Sequence, residues 1–208
     1  MIWFLLAVLI VVLIILLAIY MRKDKDKTRP PAPVENLAEL SVAAATIGDN
    51  ISIRGAGDDY ADLNFTVDRK NRHEADGDKW IELSGRYNGR RIYVEVSEDD
   101  EVEVTVDLSR VEIALGDLGL NEDDLLRLDE SQDQSESTEY DGSTWRYESS
   151  HEISCFKDDG AGHVGYYGWD FREQDGERIL SVEKWEGEPF EVCLARRVNS
   201  DDVQVFRS

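Results

Sequence analysis

The sequence predicts a mainly β protein: a single N-terminal transmembrane helix, then a β-rich domain built as a sandwich or half-barrel. Three observations carry that reading. An unbroken apolar run extends from Ile2 to Tyr20. From Ile51 onward, β-branched residues alternate with polar ones, the period of half-buried strands. The breaks in that alternation have turn chemistry. One short helix is expected near 121–128.

The apolar run comes first. As a helix it spans about 28 Å, close to the hydrocarbon thickness of a bilayer. No charge, Pro or Gly interrupts it, and Trp3 and Tyr20 stand near its ends, where amphipathic rings favour the headgroup region. A cleaved secretory signal needs a basic leader, a shorter core and small residues at the cleavage site, and none of these is present. Residues 1–21 are therefore read as an uncleaved anchor. Arg22 and Lys23 follow at once, then Lys25, Lys27 and Arg29. A Lys/Arg excess next to a span marks its cytoplasmic side. The expected topology is a cell-membrane, single-pass protein with its N terminus outside and its domain cytoplasmic.

Residues 22–44 read as a charged, Pro-rich linker. The Arg29-Pro30-Pro31-Ala32-Pro33 segment favours an extended spacer. Residues 45–206 form the β-rich domain, with halves at 45–128 and 144–206 and a mobile acidic loop at 129–143. Strands are expected around Ile51–Ile53, Leu63–Val67, Ile81–Leu83, Ile92–Val96 and Val102–Val106. Asn88-Gly89 between Tyr87 and Arg90 is a hairpin signal. Asn121 can cap a helix whose first turn is acidic. In the second half, strands are expected at Thr144–Tyr147, Ile153–Lys157, Gly165–Phe171, Arg178–Trp185 and Phe190–Arg197, with Val203 and Val205 in a last one.

The halves share a weak repeat. Gly89-Arg90-Arg91-Ile92-Tyr93-Val94-Glu95 is similar to Gly176-Glu177-Arg178-Ile179-Leu180-Ser181-Val182-Glu183, with one inserted residue. Two readings stay open: a duplicated meander, or two unrelated hairpins of an acidic β protein.

The formal net charge of −22 argues against binding nucleic acid through a basic surface. Asp is abundant and Arg outnumbers Lys, a bias shared with proteins of high-salt habitats. His151, Cys155, His163 and Cys193 lack the spacing of a metal site, and no CxxC occurs. A Cys155–His163 nucleophile pair lacks the context of a thiol enzyme. Paired acids such as Asp58-Asp59 and Asp158-Asp159 read as solvated turns rather than calcium loops. No catalytic residue, cofactor site or metal site is assigned. The candidate interaction surface is aromatic: Tyr166, Tyr167, Trp169 and Trp185, with Trp80. Strand aromatics equally form cores.

Three motifs carry a family resemblance. They are Gly48-Asp49 opening a strand; Trp80-Ile81-Glu82-Leu83 followed by a hairpin and Ile92-Tyr93-Val94-Glu95-Val96; and Leu180-Ser181-Val182-Glu183-Lys184-Trp185-Glu186 followed by Glu191-Val192. Together they resemble the bacterial domain of unknown function 4178, over roughly residues 45–206. The resemblance brings no catalytic residues. It implies a genomic setting beside phage-shock-protein-A-like envelope-stress proteins, small membrane proteins and polyamine-related enzymes. This chain departs from the family in its own anchor and its acidic body.

The resulting expectation is a membrane-anchored, non-catalytic interaction or scaffold module in an envelope-stress system. Its partners would be the bilayer, through residues 2–20, and a phage-shock-protein-A-like or small membrane protein. The competing expectation is an enzyme or accessory subunit handling a cationic small molecule such as a polyamine.

Overall fold

The computed structural model describes residues 40–98, 101–111, 114–158, 160 and 162–207, with 108–111 described for their backbone only. The Ile2–Tyr20 run, with Trp3, Tyr20, Arg22 and Lys23, lies outside the described residues. Among the described residues no helix is long and apolar enough to cross a membrane.

The domain is mainly β, with one α-helix. Its strands are β1 (Asn50–Ile53), β2 (Leu63–Ala75), β3 (Asp78–Tyr87), β4 (Arg90–Glu98) and β5 (Val102–Val111). After α1 (Glu122–Ser131) come β6 (Ser137–Tyr140), β7 (Ser143–Lys157), β8 (His163–Glu173), β9 (Arg178–Trp185), β10 (Phe190–Val198) and β11 (Val203–Phe206). All belong to one 11-stranded sheet in the order β11-β1-β2-β3-β4-β5-β10-β9-β8-β7-β6. Their pairings are antiparallel.

An additional pairing closes this sheet on itself. The second half of β2 lies against the second half of β7, with His73 opposite Cys155 and Arg72 opposite Phe156. Arg72 places its guanidinium 4.0 Å from the centre of the Phe156 ring across that seam. The strands β2 to β5 and β7 to β10 thus form a closed ring of two meanders. They meet at β2–β7 and at β5–β10. Closure leaves these eight strands no free edge along the seams.

The two runs β1–β5 and β6–β10 repeat one pairing plan. Each opens with a short strand hairpinned to the first half of a long one. Each long strand carries one extra residue at the same place. The register shifts between Val67 and Arg69 in β2, and between Tyr147 and Ser149 in β7. The similar segments around Gly89 and Gly176 open β4 and β9, which hold the same position in the two runs.

A β-bulge turns a strand's following side chains to the opposite face. Leu63, Phe65 and Val67 precede the bulge in β2 and join a core on the outside of the ring. Beyond it, Ala75 belongs to a separate cluster. In β7, Trp145 and Tyr147 lie in a second outer core, and Ile153 and Cys155 lie with Ala75. The bulge residues themselves carry ion pairs: Asp68 takes two bonds from Arg91, at 2.7 and 3.0 Å, and Glu148 takes two from Arg172, at 3.1 and 2.6 Å. Gly85 allows β2 to cross closely over β3, since a Cβ there would overlap the Thr66 carbonyl oxygen.

The outer cores are covered differently. The first joins Ile92, Val94, Val96, Val104 and Val106 to Ile51 and Ile53 of β1 and Val205 of β11. The second joins Trp145, Trp169, Phe171, Leu180 and Val182 to Leu118, Leu125 and Leu128. The last two leucines are one turn apart on α1 and face the sheet. The helix begins at Asn121, whose side chain accepts the Asp124 N–H while the Asp124 carboxylate accepts the Asn121 N–H, both at 3.1 Å. It ends at Gln132 in the left-handed region. Residues 129–143, expected as a mobile loop, instead hold the last turn of α1 and strand β6. Composition misled there because β6 is a short, mostly polar strand, Ser-Thr-Glu-Tyr.

Candidate functional site

The inner face of the ring is polar. A cavity of about 540 Å³ is lined from β3, β4, β5, β7, β8 and β9, together with the end of β2 and the β2–β3 turn. A lining contributed from so many sides of a closed ring places this cavity inside it. The alternation that sends Ile92, Val94 and Val96 outward sends Glu95 and Ser97 inward. On β8 the same rule sends Trp169 and Phe171 outward, and Tyr166, Gly168 and Asp170 inward. A second depression, of about 690 Å³, continues past the β2–β3 turn and shares Asp78, Lys79 and His151 with the first.

One wall is an aromatic stack. Tyr166 lies on Trp185 with ring centres 4.1 Å apart and planes at 17°. Trp80 lies on His73 at 5.4 Å and 19°. The Tyr166 hydroxyl and His73 Nδ1 are 3.0 Å apart, which joins the two pairs. The Trp185 indole N–H donates to Glu183 Oε2 at 2.8 Å. Burial pushes the Tyr166 phenol well above its ordinary pKa, and the neighbouring carboxylates of Glu183 and Glu95 add to the effect.

The opposite chemistry is carboxylate. Asp170 accepts the Ser181 hydroxyl at 2.5 Å across the β8–β9 pair. Burial pushes its carboxyl up to about 6; the Ser181 bond opposes this, Glu148 and Glu183 add to it, and His151 opposes it. Glu95, Glu98, Glu103 and Asp78 stand around the same cavity, with the Lys79 ammonium and the His151 imidazole nearby. His151 Nδ1 lies 2.7 Å from Asp76 at the mouth.

The five aromatic residues expected to form one interaction surface are divided by strand alternation. Tyr166 and Trp80 line the cavity, and Trp185 stacks behind Tyr166. Trp169 is buried beneath α1 and donates its indole N–H to the Leu125 carbonyl at 3.0 Å. Tyr167 donates its hydroxyl hydrogen to Asp129 of α1 at 2.8 Å. The four residues weighed for metal or thiol chemistry also separate. Cys155 is buried opposite His73 rather than His163, His163 sits opposite Phe156, and Cys193 lies 3.6 Å from Glu183 Oε1. No group of three or more His, Cys, Asp or Glu side chains suited to a metal ion is present among the described residues.

Asp170 and His73 are among the site residues that sequence reasoning missed. Parity is hard to follow at His73 and regular at Asp170. His73 lies past the β2 bulge, so it faces inward although its numbering parity matches the outward Leu63, Phe65 and Val67. Asp170 is a lone carboxylate between Trp169 and Phe171. An acid flanked by two strand aromatics that bury the other face was the available signal.

The fold and site define a closed antiparallel ring of two meanders with an acidic, aromatic-walled interior. The chain belongs to the family described as Domain of unknown function (DUF4178), whose model matches residues 56–200. Neither the curated proteins nor the solved structures gave a match.

Proposed function

We propose that this is a non-catalytic binding module whose recognition surface is the mouth of the ring. The supporting observation is the cavity itself, open at the β2–β3 turn and rimmed by carboxylates. Its buried thiol, Cys155, is 1% exposed and has no access to a substrate in solution, which favours binding over thiol chemistry. The Ile2–Tyr20 run and its basic flank support tethering to the cell membrane with the domain on the cytoplasmic side. The partner is then a protein at the membrane that presents a basic segment. A phage-shock-protein-A-like or small membrane protein of an envelope-stress system fits that position. The shared pairing plan of β1–β5 and β6–β10 supports an origin by duplication. The second reading, a cationic small molecule in the cavity, draws support from the aromatic wall.

A photo-crosslinking amino acid at Lys79 of the full-length chain, in its own membrane, tests the module. The expected outcome is a discrete cytoplasmic protein adduct that disappears when Asp78 and Glu98 are both changed to Lys. The same crosslinker at Leu126, exposed on α1 and not among the residues lining either depression, should give none. Equal adducts from both positions would discard the mouth as the recognition surface, and capture of an extracytoplasmic protein would reverse the orientation.

A further inference from the structure

We propose that the cavity binds a small organic ammonium ion, its charge on Asp170 and its stem against Trp80 and Tyr166. This rests on the reading of the mouth as the recognition surface and names what enters it. The volume of about 540 Å³ suits a small molecule. Asp170 is the anchor. One of its oxygens holds the Ser181 hydroxyl, and no second hydrogen bond reaches the carboxylate among the described residues. It is half-buried and lines the cavity. An ammonium group carries three donors and no acceptor, which complements a carboxylate with acceptor capacity to spare.

The surroundings select the class of ion. The cavity lining carries the carboxylates of Asp78, Glu95, Glu98, Glu103, Asp170 and Glu183 against the single ammonium of Lys79, with Glu103 paired to Arg197 at 2.8 Å, so the field draws cations in. A compact metal ion needs several oxygen or nitrogen ligands converging on one point, and no such group exists among the described residues. An organic cation needs one good ion contact and an apolar wall. Trp80 and Tyr166 line the cavity and supply that wall, each held in place by the ring stacked against it, His73 and Trp185 respectively. Ser149 and Ser181 line the same cavity and offer further acceptors for an ammonium hydrogen. A free amine and a partner's lysine side chain share this chemistry.

The test uses the full-length chain in detergent, the Trp80 indole N–H resonance as the local reporter, and n-butylammonium chloride as the probe. Saturable one-to-one binding is expected. n-Butanol, the neutral counterpart of similar shape, should bind at least tenfold more weakly. Asp170→Asn should weaken n-butylammonium at least tenfold without lowering the melting temperature, and Ser181→Ala should change it only a few-fold. Equal binding of n-butanol and n-butylammonium, an unsaturable response, or undiminished binding to Asp170→Asn would overturn the proposal. The n-butanol comparison is made on the unaltered chain, so it holds even where a variant misfolds. Nα-acetyl-lysine methylamide binding more tightly than n-butylammonium assigns the site to a partner's lysine; weaker binding assigns it to a free amine. Failure here with the Lys79 adduct intact removes only the ligand, whereas failure of both removes the mouth as a site.

Discussion

The two repeats carry the same strand plan beneath two different covers. Over β3, β4 and β5, the cover is made of strands β1 and β11 with a 3₁₀ turn at Val42–Ala44. Over β7, β8 and β9, it is α1 with a 3₁₀ turn at Leu115–Leu118 before it. A strand cover is held by its backbone. β1 is laddered to β2 on one side and to β11 on the other, so its hydrogen-bonding groups are also its fastening. A helix satisfies most of its backbone internally and has no strand ladder to fasten it. The second repeat solves this with polar tips on large rings. Trp169 bonds to Leu125, Tyr167 to Asp129, and the Tyr147 hydroxyl to Gln132 at 3.1 Å. The cores differ accordingly, with Val and Ile dominating the first and Trp, Tyr, Phe and Leu the second. The kind of cover selects the kind of core residue, because only aromatic side chains combine a large apolar body with a hydrogen-bonding handle.

The comparison breaks most sharply at Trp145, which is 0% exposed and donates to the Tyr140 carbonyl at 3.0 Å. Trp145→Ala should cost about 3–5 kcal/mol. Chemical denaturation measures the loss, and hydrogen exchange should show it in α1 and β6 before β1 and β11. Trp169→Phe sharpens the same contrast by keeping most of the ring and removing its N–H. It should cost about 1–2 kcal/mol, because the Leu125 carbonyl loses its only side-chain donor among the described residues. Protection of the α1 amides should fall while that of β1 is unchanged; equal loosening of both covers would show that the aromatic tips do not fasten the helix.

The smallest expected effect is a pH dependence. Aligning buried Ile92 and Val94 of β4 with Leu180 and Val182 of β9 sets Asp170 and Ser181 against Ser84 and Tyr93 of the first repeat. Only the second repeat places a carboxylate there. With its carboxyl raised to about 6, folded Asp170 holds a proton that the unfolded chain has released. Its contribution to stability is present below the ordinary Asp value and lost as the pH rises through about 6. The melting-temperature advantage of Asp170→Asn should therefore grow from about pH 4.5 to about pH 7. Glu173, three residues further along β8, has the opposite sign. Arg178, at 2.5 Å, and Ser143 lower its carboxyl to about 2, so its contribution holds above the ordinary Glu value and fades as the pH falls toward 2. A flat difference between Asp170→Asn and the parent would mean that Asp170 is not desolvated.

Much of the fold was legible because alternation and turn chemistry are local. Ile92, Val94 and Val96 mark one face of β4, and Asn88-Gly89 makes its hairpin with both residues at positive φ. Asn121 announced α1. The site was legible only in part. Trp80, Tyr166 and Trp185 were singled out as aromatics together with Trp169 and Tyr167; alternation puts Tyr166 and Trp169 on opposite faces of β8, but nothing local says which face is enclosed.

The sequence by itself determined most of the strands, the helix and the acidic character, because each rests on composition or on neighbours within a few residues. Only the tertiary structure decided which polar face is enclosed. Closing the ring required β2 to meet β7, a contact between residues some eighty positions apart, as in His73 and Cys155. The two bulges then turned the ends of both long strands inward. The partial burial of Asp170 and the gathering of Trp80 and Tyr166 around one cavity follow from that closure, and no period in the chain encodes it.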